Sequence, residues 1–231
     1  MASTALPLAC LPFAGSGAGV YRAWRHLDSG ALRIVPIQLP GREELYLESP
    51  FIDAVQAARW LAPRVLKAVD GQRFALFGHS LGAVLAYEIA QELARTGDTS
   101  LQHVYVSGSP GPNHVRESRA TGLDDEAFLA RVREFAGYRH SALDSPDLRE
   151  LLLPTLRNDV EMHENYRPST TEPLRVPVTA LRGRDDTLVT TEQVRGWEEA
   201  TVKTFAHVEL PGGHMYLVDG PEALLDAIGG S

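Results

Sequence analysis

The sequence predicts an α/β fold in which a mostly parallel sheet is flanked by helices. Three observations lead there. Short β-rich apolar runs alternate with longer amphipathic stretches, a glycine-bounded serine turn stands between one such run and a helical stretch, and 231 residues suit one sizeable core. Strands are expected near residues 5–11, 32–38, 74–78, 103–108, 177–182 and 205–210. Residues 51–70 carry apolar side chains at 51, 52, 55, 58, 61, 62, 65, 66 and 69, close to the 3.6-residue period of a helix. Residues 81–94 and 193–200 are expected as helices, and 221–228 opens with Pro221, which a first helical turn accepts.

The alternation breaks between about residues 110 and 173. There Asp124 opens a helical stretch with Phe128, Leu129, Val132 and Phe135 on one side, and Ser145-Pro146 resembles the cap and first turn of another. Pro154 is expected to kink or end that second helix. A helical insert between two strands of a parallel sheet reads as a lid, placed at about 112–172 within a single domain spanning 1–231. The alternative is extra helices packed against the sheet.

Composition narrows the class. Hydrophobic residues at 44% and charged residues at 23% are ordinary globular values, and no run nears the roughly 18 apolar residues of a membrane span. The N-terminus has no basic residue ahead of an apolar run, so a cytoplasmic protein is expected rather than a secreted one. A single cysteine, Cys10, excludes an internal disulfide and cysteine-built metal sites, and its apolar surroundings predict a packed core residue. A net charge of -8 argues against nucleic acid as a partner, since counterion release needs a basic face. A monomer is expected.

The chemistry centres on Gly78-His79-Ser80-Leu81-Gly82, a G-x-S-x-G motif after the run Phe74–Phe77 and before a helical stretch. That context is what a nucleophile elbow requires, with small flanking residues that let the hydroxyl of Ser80 rise above the sheet edge. A serine needs a base, and of the eight histidines His214, in Pro211-Gly212-Gly213-His214, lies just beyond the last expected strand. His79 points elsewhere from the elbow and reads as a packing or turn residue. The acid belongs after a strand and between serine and histidine in sequence, where Gly183-Arg184-Asp185-Asp186 supplies two aspartates that spacing does not separate. Oxyanion donors are worth about 3 to 4 kcal/mol each in acyl transfer. One is expected from the N–H of Leu81 and the other from the glycine-rich loop Leu11–Gly19. That loop fails G-x-G-x-x-G because Val20 stands at the third glycine, and neither a Walker motif nor H-E-x-x-H occurs.

With Leu11-Pro-Phe-Ala-Gly15, Tyr21, Trp24, Gln38-Leu-Pro-Gly-Arg42, the serine motif, Leu153-Pro-Thr-Leu-Arg-Asn-Asp159, Tyr166, Gly183-Arg-Asp-Asp-Thr-Leu-Val189 and Pro211-Gly-Gly-His214, nearly the whole chain resembles the type II thioesterases of polyketide and nonribosomal peptide synthases, in the α/β-hydrolase superfamily. The resemblance assigns the acid to Asp186 and the second oxyanion donor to the N–H of Ala14. Two positions depart from the pattern: Thr187 replaces a proline and Ser16 a glycine. Arg42 receives only a structural role, fixing the loop after the second strand. The implied activity is hydrolysis of acyl or aminoacyl thioesters from the phosphopantetheine arm of acyl or peptidyl carrier proteins, clearing misprimed or stalled synthases through a Ser-His-Asp triad. No cofactor or metal is implied, because pantetheine belongs to the substrate, and Phe128, Leu129, Val132 and Phe135 would shape the acyl chamber.

Three rivals are a small-ester esterase, a silent binding module and a releasing domain of a larger synthase. The Leu-Pro-Gly-Arg run opposes the first and the complete triad opposes the second. An initial Met with no carrier-like segment before Ala5 opposes the third.

Overall fold

The computed structural model describes residues 5–28, 30–114, 119–136 and 145–230. Six strands, β1 (Leu6–Leu11), β2 (Leu32–Pro36), β3 (Phe74–His79), β4 (Leu101–Ser107), β5 (Val178–Gly183) and β6 (Phe205–Leu210), form one sheet in the order β2-β1-β3-β4-β5-β6. Every pairing is parallel. The order runs outward from β1 in both directions, so the strand carrying the serine motif lies inside the sheet and its loop opens at the carboxyl edge, where open parallel sheets place their ligand sites.

Period-2 alternation divides the strands between two cores. Ala9 and Leu11 of β1, with Phe74 and Leu76 of β3, face the helices α2 (Ala54–Ala68) and α3 (Leu81–Thr96); buried Trp197 closes that layer. Leu8 and Cys10, with Ala75 and Phe77, face Tyr21 and Trp24 and the helix α8 (Pro221–Gly229). Cys10 is fully buried, and burial pushes its thiol well above the ordinary range, so it is inert packing.

The chain between β4 and β5 forms α4 (Asp125–Ala136) and α5 (Pro146–Asn165). Pro146 starts α5 as expected, whereas Ser145 makes no side-chain cap bond. Pro154 does not end this helix: α5 runs on to Asn165. One proline removes one helical hydrogen bond, and the turns beyond it are held by burial of Leu156, Asp159, Met162, His163 and Glu164. The stretch expected at 193–200 begins earlier, because Thr190 and Gln193 form a capping box for α6 (Thr191–Arg195), which tightens into a 3-10 turn, Gly196–Ala200. The short helices α1 (Gly19–Arg22) and α7 (Tyr216–Asp219) follow the glycine-rich loop and the His214 loop.

Half-buried His103 of β4 stacks on Tyr105 and lies 2.8 Å from Thr179 Oγ1, and burial lowers its pKa from 6.5 to about 4. The unfolded chain therefore takes up this proton near pH 6.5 and the folded chain only near 4, so stability falls as pH drops through that window. His103→Gln should lose less melting temperature than the wild type between these two values. Equal pH slopes in thermal denaturation would contradict it.

Candidate active site

Ser80 sits at φ 52°, ψ -114°, a conformation costly for a residue with a Cβ, of order 1–3 kcal/mol. The surroundings impose it. Ser80 N–H donates to Ser107 O at 2.8 Å, pinning the turn to β4. A Cβ on Gly78 would lie 1.9 Å from Gly82 O, and one on Gly82 2.4 Å from Leu11 O, so only glycine permits the strand to turn so sharply into α3. Ser80 is the N-cap of α3, where the helix dipole favours developing negative charge.

The loop after β6 brings His214 to this turn. Its Nδ1 lies 2.8 Å from Asp186 Oδ2, and its ring centroid is 4.8 Å from that of His79, the neighbour of the serine. With Nδ1 held by the carboxylate, Nε2 is the remaining ring nitrogen; no hydrogen bond joins it to Ser80 here, and bonds of that kind commonly tighten only with substrate. Asp186 is 4% exposed and also accepts the N–H groups of Leu188 (2.8 Å) and Val189 (3.1 Å) on Oδ1. Burial acts to raise its pKa, but the His214 contact and these N–H donors outweigh it and hold the carboxyl below the ordinary value. Asp185 is exposed; only its backbone joins the site, donating to Gly212 O at 2.9 Å.

Arg182, which no sequence motif singles out, is buried beside Asp186. It donates to Asp186 O (2.7 Å) and Val189 O (2.6 Å) and pairs with Glu209 of β6 (3.1 Å), so one side chain secures the acid loop to the neighbouring strand. His79 is fully buried, with Nδ1 2.9 Å from Ser107 Oγ, which lies 2.7 Å from Tyr216 OH. Burial and the adjacent His214 hold its pKa well below 6.5, so it packs against the site as a neutral ring.

The N–H of Leu81, at the start of α3, and that of Ala14, in the loop after β1, have no protein acceptor among the described residues. The following N–H groups are committed, Gly15 to Asp159 Oδ2 (2.8 Å) and Ser16 to Phe13 O (3.0 Å). Arg42, given only a structural role from sequence, meets Asp159 through two 2.7 Å bonds and donates to Ser16 O at 2.8 Å. Nothing in the residues' own neighbourhoods announces this partnership, since the two are 117 positions apart.

Phe128 and Leu129 are each 1% exposed and form a small core with Leu153 and Leu156 of α5, against which Val132 and Ala14 pack. Arg157 lies over the Phe128 ring at 4.2 Å. Phe128 thus packs against α5, and the cluster reaches the glycine-rich loop after β1 at Ala14. The side chain of Phe135 lies outside the described residues. Among the described residues no group of three or more His, Cys, Asp or Glu is placed to hold a metal ion, and no helix is long and apolar enough to cross a membrane.

A serine lifted on a strained strand-to-helix turn above a parallel sheet marks the α/β-hydrolases, and that is the class of this protein. Within that class the chain belongs to the thioesterase family, whose thioesterase domain model matches residues 6–231; it is a hydrolase acting on thioesters. It is similar to the gramicidin S biosynthesis protein GrsT of Aneurinibacillus migulanus, with 30% identity over 222 residues, 96% of this chain and 86% of GrsT. RedJ, a thioesterase from the prodiginine biosynthetic pathway in Streptomyces coelicolor, superposes with a TM-score of 0.90 at 33% identity, covering 97% of this chain and 89% of RedJ. YbtT, a type II thioesterase from the yersiniabactin NRPS/PKS biosynthetic pathway, gives 0.85 at 28% identity, covering 98% and 92%.

Proposed function

We propose that this protein is a type II editing thioesterase, which hydrolyses acyl and aminoacyl groups from the phosphopantetheine arms of carrier proteins and so clears misprimed or stalled polyketide or nonribosomal peptide synthases. The observation that carries the reading is the thioesterase match across the whole sheet and both candidate loops, over residues 6–231. The likeness to YbtT supports the synthase context.

Ser80 Oγ attacks the thioester carbonyl carbon while His214 Nε2 takes its proton, and Asp186 stabilises the imidazolium and keeps Nδ1 protonated. The carbonyl oxygen becomes an oxyanion held by the N–H groups of Ala14 and Leu81. Collapse breaks the C–S bond, and the pantetheine thiolate leaves with the proton from His214. Water, deprotonated by His214, then attacks the acyl-serine, releasing the carboxylic acid and restoring Ser80. This sequence calls for no metal or redox group; pantetheine enters with the substrate.

Residues 1–231 act as one domain, with the insert at about 112–172 as a lid whose small core, through Ala14, borders the acyl chain near the oxyanion donors. The protein works as a cytoplasmic monomer on carrier domains. The arm offers binding energy whatever acyl group it carries, so the enzyme is expected to tolerate many acyl groups and to prefer carrier-bound over coenzyme A thioesters. The test is a comparison of kcat/KM for one acyl group on a carrier protein, on coenzyme A and as a nitrophenyl ester. A preference for the nitrophenyl ester would replace this reading with a small-ester esterase. On the same carrier, Phe128→Ala should change the ratio of medium-chain to acetyl hydrolysis, by about 1 kcal/mol per methylene at stake. An unchanged ratio would place Phe128 in the packing of α4 on α5 alone.

A further inference from the structure

Three separate pieces of chain meet at the carboxylate of Asp159. From α5 it accepts Gly15 N–H of the loop after β1 on Oδ2 at 2.8 Å, and both terminal nitrogens of Arg42 at 2.7 Å. Arg42, from the segment after β2, also donates to Ser16 O at 2.8 Å, so the glycine-rich loop is held at one N–H and one carbonyl by the same ion pair. The pair is withdrawn from water, with side-chain exposures of 9% for Arg42 and 0% for Asp159. Leu156, one turn earlier on α5, fills the space beside Gly15, where a Cβ would lie 2.9 Å from its Cδ1. Thr155 Oγ1 donates to Gly41 O at 3.2 Å, tying α5 to the Arg42 segment from a second point.

A buried ion pair is weak evidence of a gain in stability, because desolvating two charges offsets most of their attraction. Its placement is more informative. The Gly15 peptide adjoins Ala14, whose N–H is the second oxyanion donor in the reading above, and Asp159 fixes the orientation of that peptide. We propose that Arg42 and Asp159 are positioning residues for thioester hydrolysis: the ion pair holds the loop Phe13–Gly17 so that Ala14 N–H points at the developing oxyanion. The oxyanion loop keeps its shape only while the second half of α5 is docked, which joins the lid to the chemistry. This inference rests on the proposed acyl-transfer reaction and adds two residues to it.

The test uses the full chain, the hexanoyl thioester of N-acetylcysteamine, its non-hydrolysable thioether analogue, and a hexyl trifluoromethyl ketone, which adds reversibly to the serine and places an oxyanion in the donors. Asp159→Asn puts an N–H donor against either Gly15 N–H or the guanidinium. It should lower kcat about 10- to 100-fold, short of the 10²–10³ seen when a donor is removed outright, with KM changed less than about threefold. Ketone affinity should fall by the same factor as kcat, and thioether affinity should hold. Arg42→Lys, which keeps the charge and loses the paired bonds, should show a smaller loss of the same form. Asp125→Asn removes a different tie between α4 and α5, the pair with Arg157, and should leave kcat, KM and both inhibitor affinities unchanged. Unaltered kcat and ketone affinity in folded Asp159→Asn, equal losses in ketone and thioether affinity, or unfolding of both Asp159→Asn and Arg42→Lys would each overturn the proposal. If the wild type cleaves no thioester, the functional reading fails instead, and the ketone titration still reports on the loop.

Discussion

Ser80→Ala is expected to abolish covalent labelling by a fluorophosphonate and to lower kcat by about 10⁴- to 10⁶-fold, the loss typical of removing the nucleophile from a serine triad. No other hydroxyl occupies the elbow, so the acyl-enzyme has no alternative site of formation. The fold should survive: alanine has the same Cβ as serine and meets the same positive φ, and the backbone bonds of this position, its N–H to Ser107 O and Ala83 N–H to its own carbonyl, are kept. Labelling and thermal denaturation of the same preparation check both halves. Full labelling of a folded Ser80→Ala would remove Ser80 from the mechanism.

Asp186→Asn should lower kcat by about 10³- to 10⁴-fold, whereas Asp185→Asn should change it less than about twofold. At position 186 an asparagine retains an oxygen for the N–H groups of Leu188 and Val189 and presents its amide N–H to His214 Nδ1. That donor selects the tautomer with a proton on Nε2, which is then unable to take one from Ser80. At 185 the side chain is exposed and only the backbone is tied in, so the amide replaces a solvated carboxylate. Steady-state kinetics of the two variants separates the aspartates, and a reversed order of effects would transfer the acid role to Asp185.

These expectations differ in where they were legible. The six strands were readable because each is a short apolar run with turn residues at its ends, and the serine turn because its glycines adjoin it in sequence. The His214 loop followed from its place after the last strand. Of the two outcomes expected at Pro154, a kink or an end, the structure excludes the end, because burial of later turns outweighs the local effect of one proline; the cap at Thr190 has a local signature in Gln193 three residues on.

By itself, then, the sequence determined the parallel α/β architecture, the serine turn and the place of the His214 loop after the last strand, all of which depend on residues within a few positions of one another. Spacing left Asp185 and Asp186 open and the family resemblance favoured Asp186, whose side chain the structure turns inward to His214; only the tertiary structure decided that Phe128 and Leu129 pack on α5 and that Arg42 reaches Asp159. Each of these depends on which side chains meet across distant segments, and the result is set by the crossover geometry that brings α5 over the loops after β1 and β2. A buried carboxylate must find its donors wherever packing brings them. For Asp159 these lie 144 and 117 positions away, a separation at which local pattern carries no information.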